Sequence, residues 1–523
     1  MPSFVLSNAS GFLLIICLTG SFALAQEVPV SAKPATLQQE GKIAAAKEKE
    51  APARMSQKEA DELFKSIDEI MRFVSRDTGL ALHHDIKKEL IGRDEVQKYI
   101  EEKMKDDEDR KDMERSEVVL KKFGLLPREF QLQTFLVSLL REQIAAFYDS
   151  KKKTVFMLNW LSPESQKPIM AHELTHALQD QTVDMDKWIE EVRKKSKQSS
   201  DPDRPDIEVD EESSARSAVA EGQGMAVLID YLLAPMGRTM QDSPQVVDMM
   251  RAGMDKDDSA PLLASAPLLL RESLIFPYRD GLGFVQAVLS NGGVDKAYTN
   301  LLLNPPHNTH EVLVPDSYLK GEHIGHMRLP NIKKALSKDY RQYDVGSIGH
   351  FDTIILLKQL AEPQVAKDLS ADWRGGIYYA GAKNVINGKK VDKETILKST
   401  KDIALLYVSK WASADSAKQF AGIYSDGLKK KYSKVETVKD RTGAFVTEEG
   451  IIHVEVIGNS VLVIESMDDA LADKIRKLVV ASLESDKGTT TTQNDLGIHA
   501  MAPMRAILRD VMVKVQLNSV GIQ

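Results

Sequence analysis

The chain has 523 residues, 42% hydrophobic and 28% charged, the make-up of a globular protein with room for two or three domains. Its net charge of −8, with no basic stripe interleaved with aromatics, argues against nucleic acid as a partner. The single cysteine, Cys17, excludes a disulfide framework.

Residues 1–25 read as a secretory signal peptide. An apolar run begins at Phe12–Ile16, and Ala23-Leu24-Ala25 supplies small residues for cleavage after Ala25. Met1 to Gly11 carries no Lys or Arg, a departure from the usual positive start. Cys17 raises a lipoprotein alternative, but Ile15-Ile16 before it are not the small residues expected there. Cleavage after Ala25 leaves a mature chain without cysteine, placed by this reading in the periplasm or outside the cell. No later apolar run reaches the ~18–20 residues of a bilayer span, so no stable membrane span is expected once the leader is removed.

Residues 26–56 are rich in Ala, Lys, Glu, Pro and Gln and read as a disordered linker. Residues 57–141 follow a helical period, with Leu63, Ile67, Ile70 and Met71 on one stripe. Asp94 to Phe123 predicts a long charged helix or helix pair. His83 and His84 are adjacent and would point apart on a helix, so they read as a loop or surface pair.

Residues 142–390 predict the domain that carries the chemistry. Ile144–Asp149 and Thr154–Leu158, joined by Ser-Lys-Lys-Lys, predict a β-hairpin. Its edge can serve an extended substrate as a partner strand, or the hairpin is purely structural. Ile169-Met-Ala-His-Glu-Leu-Thr-His-Ala-Leu-Gln-Asp-Gln181 follows, on a helix expected to be capped by Ser165 with Pro168 in its first turn. His172 and His176, four apart, share a face and can grip one Zn²⁺. Glu173 stands where a general base must stand to take a proton from water. A core helix with two paired histidines is the alternative, but an unpartnered buried Glu173 would be costly there. Asp180, one turn beyond His176, either orients a ligand imidazole or is an ordinary surface carboxylate.

Catalytic zinc takes three protein ligands. The next predicted helix, Asp210 to about Leu233, places Glu221 on its apolar face with Ala218, Gly222, Met225 and Leu228. A carboxylate in that setting is bound to metal or held in a buried ion pair, and Glu221 is the candidate third ligand. The small residues around it, Gly224 included, allow close helix packing. Asp210, Glu211 and Glu212 lie in the first turn, complement the helix dipole and are expected in solvent. Ala260 to about Leu289 is apolar, with breaks expected at Pro267 and Pro277. The loop carrying His307, His310 and Tyr318 can approach the metal and stabilise an oxyanion, or it bears surface histidines.

A helical run from Ile348 to Leu360 leads to Trp373. Residues 395–485 change rhythm. Ile403–Ser409, Ala444–Thr447, Ile451–Val456 and Val461–Ile464 are strand-like, and Ser413–Lys431 and Asp469–Leu483 are helical. This predicts a C-terminal α+β domain with ferredoxin-like alternation. Residues 486–523 read as a linker and tail, with a short helix over Met501–Val515.

Phe147-Tyr148-Asp149, Ala171 to Gln181, Ala220-Glu221-Gly222, Phe276-Pro-Tyr278, Pro305-Pro306 with Thr309, and Trp373 together resemble a family of bacterial exported H-E-x-x-H proteins of gluzincin-like type. The resemblance runs from about Arg93 to the end of the C-terminal α+β region. It implies His172, His176 and a downstream Glu as zinc ligands and Glu173 as base. Thr309-His310-Glu311 stands where that family would carry Thr-Glu-Gln. The combined expectation is an α+β protein: a mainly helical zincin-like metallopeptidase domain with a small sheet, then the C-terminal domain. It would hold Zn²⁺ and cut a peptide or protein substrate. The rivals are a non-catalytic exported binding or assembly protein and a zinc hydrolase acting on a non-peptide amide.

Overall fold

The computed structural model describes residues 13–15 and 55–485, apart from 97, 99–106, 143–145, 198–208, 256–260, 323, 325–326 and 393–394. The 26–54 part of the linker, the 486–523 tail and all of the leader except Leu13–Ile15 lie outside the described residues.

Helix α1, Gln57–Thr78, starts at a capping box in which Ser56 and Glu59 bond each other's backbone N–H, and it stops at left-handed Gly79. Leu63, Ile67, Ile70 and Met71 form its buried stripe, as their spacing requires. The region after it is not wholly helical. Strand β2, Lys87–Ile91, separates α1 from helix α2, Asp107–Phe123, and helix α3, Leu132–Glu142. β2 was hidden because only its last residue is buried, so it carries no alternating apolar pattern. His83 and His84 are exposed before it, their backbone N–H groups held by Gln181 Oε1.

Strands β3, Ala146–Asp149, and β4, Thr154–Leu158, form the expected hairpin. β2 runs parallel to β4 on one side, and β1, Leu13–Ile15, runs antiparallel to β3 on the other. The hairpin feeds helix α4, Pro163–Val183, which begins one turn earlier than Ser165 would have it. Ser162 is the cap, accepting the Ser165 N–H, and Pro163 opens the helix with its fixed φ. Pro168 therefore lies inside the helix. Gln166 ties α4 to β4 by exchanging hydrogen bonds with the Leu158 backbone.

Helices α5, Met185–Lys197, α6, Val209–Leu233, α7, Pro244–Met254, and α8, Leu268–Asp295, complete the helical layer. Pro277 does not break α8; the break falls at Gly293, with φ 76 and ψ −176. α6 and α8 touch backbone to backbone, since a Cβ on Gly222 would meet Gly281 O at 2.3 Å.

The second sheet has seven strands, β5, Tyr340–Ser347; β6, Trp373–Lys383; β7, Ile403–Trp411; β8, Val435–Thr437; β9, Ala444–Thr447; β10, Gly450–Ile457; and β11, Ser460–Glu465. Its order is β8-β9-β10-β11-β7-β6-β5, every pair antiparallel. Helices α9, His350–Leu360, and α10, Pro363–Ser370, join β5 to β6. The sheet thus starts at Tyr340, well before the 390–395 boundary read from the change of rhythm, and Ile377 of β6 pairs with Val408 of β7. Helix α11, Ala414–Lys431, packs Phe420 and Tyr424 on the face that carries Leu405, Tyr407 and Val463. Helix α12, Asp469–Ser485, packs Ile475 and Val479 on the other face, over Leu406, Val408 and Ile464. A split β7-α11-β10 unit around β11 matches ferredoxin-like alternation. The two helices on opposite faces do not, because such a sandwich keeps its helices on one side. The class is α+β.

The core does not stop between the two sheets. Phe123 of α2 meets Tyr378 and Tyr407 edge-on, and fully buried Lys122 bonds Glu449 Oε2 at 2.8 Å and Ser466 Oγ at 2.7 Å. Among the described residues no helix is long and apolar enough to cross a membrane.

Candidate metal centre

α4 is buried on every side from Ile169 to Asp180, so its polar residues must find partners inside the protein. His172 and His176 lie one turn apart with Nε2 atoms 3.0 Å from each other. Glu221 reaches them from α6, its Oε2 3.2 Å from His172 Nε2 and 3.6 Å from His176 Nε2. The circle through these three atoms has a radius of about 1.9 Å, just under the 2.0–2.2 Å of a zinc–ligand bond. Glycine makes the approach of α6 possible: a Cβ on Gly224 would sit 2.4 Å from His172 Nε2. The donor set of two imidazoles and a carboxylate is that of a catalytic zinc site.

Glu173 is fully buried beside this group. Its Oε2 accepts the Tyr148 backbone N–H of β3 at 2.9 Å, while Oε1 has no partner among the described residues. Burial, then the charge of Glu221, hold its carboxyl well above the usual range. Burial pulls Glu221 upward too, but its contacts with the imidazoles of His176 and His172 outweigh it and hold that carboxyl below its usual range. Burial pushes His172 down to about 4, so its ring is neutral. Glu173 and Glu221 sum to two negative charges when both are ionised, the amount one divalent cation balances.

Asp180 does not orient an imidazole. Its Oδ2 takes the Tyr148 hydroxyl and Lys153 Nζ, both at 2.7 Å, and its Oδ1 takes the Met185 N–H. It fastens α4 to the hairpin and to the start of α5. The residue that faces the His176 ring is Gln179, whose Oε1 is 2.7 Å from His176 Nδ1. Three positions after His176, it was readable from helical spacing.

The loop of His307, His310 and Tyr318 is held away from the centre. Glu211, expected in solvent, is buried and accepts both the N–H and the hydroxyl of Thr309. Glu211 precedes Glu221 by ten residues on α6, about 15 Å along the axis at 1.5 Å per residue. His310 instead meets His350, Nδ1 to Nδ1 at 3.0 Å, and His350 stacks on Trp373. His307 is exposed, and Tyr318 donates to Asn304 O. The ring of Tyr278, within the Phe276-Pro-Tyr278 stretch, does approach the centre, 6.3 Å from the His172 ring. Comparison of the chain with models of protein families, with curated proteins and with solved structures gives no match.

Proposed function

We propose that this protein is an exported zinc-dependent peptidase whose ligands are His172, His176 and Glu221. The observation that carries the reading is the convergence of two Nε2 atoms and one Oε2 on a single point beside a buried, half-unpartnered Glu173. When bound, zinc acts as a Lewis acid and makes water acidic near neutral pH. Glu173 is fixed through Oε2 by the Tyr148 N–H, which leaves Oε1 as the atom that takes a proton and returns it to the leaving amine. A purely structural site has no use for that carboxylate.

The choice of a peptide substrate is supported by β3. Its outer edge pairs with an extended segment, Leu13 opposite Tyr148 and Ile15 opposite Ala146. The same strand holds Glu173, so a peptide added at that edge would lie next to the base. Removal of the leader after Ala25 would free this edge in the mature protein. The test is plasma mass spectrometry for zinc together with peptide hydrolysis. Mature wild type should carry about one zinc per chain and cut peptides. His176→Ala and Glu221→Ala should lose the metal. Glu173→Gln should keep it and lose hydrolysis by at least ~100-fold. Equal hydrolysis by wild type and Glu173→Gln would end the mechanism.

A further inference from the structure

Around the metal centre runs a chain of side-chain amides with a fixed direction. Gln223 Nε2 donates to two backbone carbonyls, Ala297 O at 2.8 Å and Tyr298 O at 3.0 Å. Both lie in the π-helical turn Lys296–Asn300 that follows α8. A carbonyl can only accept, so the nitrogen of Gln223 must face them and its Oε1 must face the other way. That oxygen accepts from Gln179 Nε2 at 2.7 Å, and the same nitrogen donates to Ala220 O at 3.1 Å. The orientation of Gln179 is settled by the same rule. Its Oε1 is left to face His176 Nδ1 at 2.7 Å, where it can only accept. His176 therefore carries its proton on Nδ1, and its Nε2 presents a lone pair.

From this geometry we infer that Gln179, anchored by Gln223, is the positioning residue that sets the tautomer and ring orientation of His176 for metal binding. The inference rests on the zinc reading for its purpose, though not for its chemistry. All three side chains are fully buried, so water does not compete for these bonds. An amide rather than a carboxylate also suits the charge. The centre already holds two carboxylates, and a third at position 179 would exceed what one divalent ion neutralises. It would also face Ala220 O with an oxygen.

Zinc-free mature protein, labelled with ¹⁵N-histidine, gives the direct test through two-bond ring correlations, with His176→Ala used for assignment. Wild type should show His176 protonated at Nδ1 alone. Gln179→Met, which keeps length and removes both polar atoms, should mix the tautomers and weaken zinc binding about 10–100-fold in a chelator competition. Gln223→Met, which frees Gln179 to turn over, should mix the tautomers with a smaller loss of affinity. A wild-type His176 protonated at Nε2 overturns the inference, as does a folded Gln179→Met that binds zinc as tightly as wild type. If wild type shows the Nδ1 proton yet takes up no zinc, the tautomer assignment stands and the peptidase reading falls.

Discussion

Replacing Gly224 by alanine should abolish metal binding with every proposed ligand and the base left unsubstituted. The new Cβ would lie 2.4 Å from His172 Nε2, 2.6 Å from Cδ2 and 2.7 Å from Cε1. Relaxed contact needs about 3.4 Å or more, so the ring must retreat by about 1 Å. Metal–ligand distances tolerate about 0.2 Å, so His172 would leave the site and zinc affinity should fall by on the order of 100-fold or more. The fold should survive. Alanine is favoured over glycine in a helix by about 0.8–1.0 kcal/mol, and overpacking costs about 1–3 kcal/mol, a net loss of no more than about 2 kcal/mol. Gly253, with open space around it, is the control: Gly253→Ala should bind zinc like wild type. The measurement is chelator competition for zinc, read beside a thermal melt of the zinc-free proteins. A folded Gly224→Ala with wild-type zinc affinity would refute the close approach of α6 to His172 as the basis of the site.

Further outcomes can be measured away from the centre. Burial, then the charge of Asp230, push Asp77 up to about 7, and its Oδ2 has no partner among the described residues. The folded state then keeps a proton that the unfolded chain releases near 3.8, so stability falls as pH rises from about 4 through about 7. Asp77→Asn should therefore stabilise the protein at pH 8 by about 2–4 kcal/mol and do nothing at pH 4; equal melting shifts at both pH values would contradict this. Lys122→Met should cost about 3 kcal/mol in denaturant unfolding, because Glu449 loses a buried cation but keeps Arg128. No loss would mean the pair contributes no net stability. Residues 395–485 expressed alone should lack cooperative unfolding, since β7 would lose its partner β6 and the α2 side chains that pack on Tyr407. A sharp two-state melt of that fragment would restore it as a domain.

The site was more legible than the fold around it. His172, Glu173 and His176 come from one local pattern on one helix, and local patterns are what a sequence displays. Glu221 was legible for a different reason: it is a carboxylate among Ala218, Gly222 and Met225, where nothing but a partner would keep it. Asp180 and Gln179 were nearly interchangeable on spacing alone. Which of them faces His176 is decided by Tyr148 and Lys153 of the hairpin, which claim Asp180. Glu211 misled because a first-turn carboxylate fits the helix dipole whether or not it is buried. Its burial comes from Thr309, 98 residues away. The strands after Ile403 were visible in their apolar runs, but their sheet was not, because β5 and β6 join it from before residue 390 and pairing leaves no local mark.

The atoms that break the rules of burial are themselves an argument for the centre. Elsewhere on α4 the buried polar groups are paired: Gln166 with Leu158, Thr175 with Ala171 O, Gln179 with Ala220 O. At the centre the pairing fails in a specific way. Among the described residues His172 Nδ1 and Glu173 Oε1 have no partner, and two Nε2 atoms face each other and one carboxylate oxygen. Hydrogen bonding alone serves that triangle poorly. With the His176 proton on Nδ1 facing Gln179, its Nε2 offers that triangle a lone pair and no donor. A helix that existed only to fill a core would have placed leucine there. Sequences depart from local consistency at functional sites, and here the departures, His172 Nδ1 and Glu173 Oε1, lie on side chains that surround the three converging atoms a single divalent ion would satisfy.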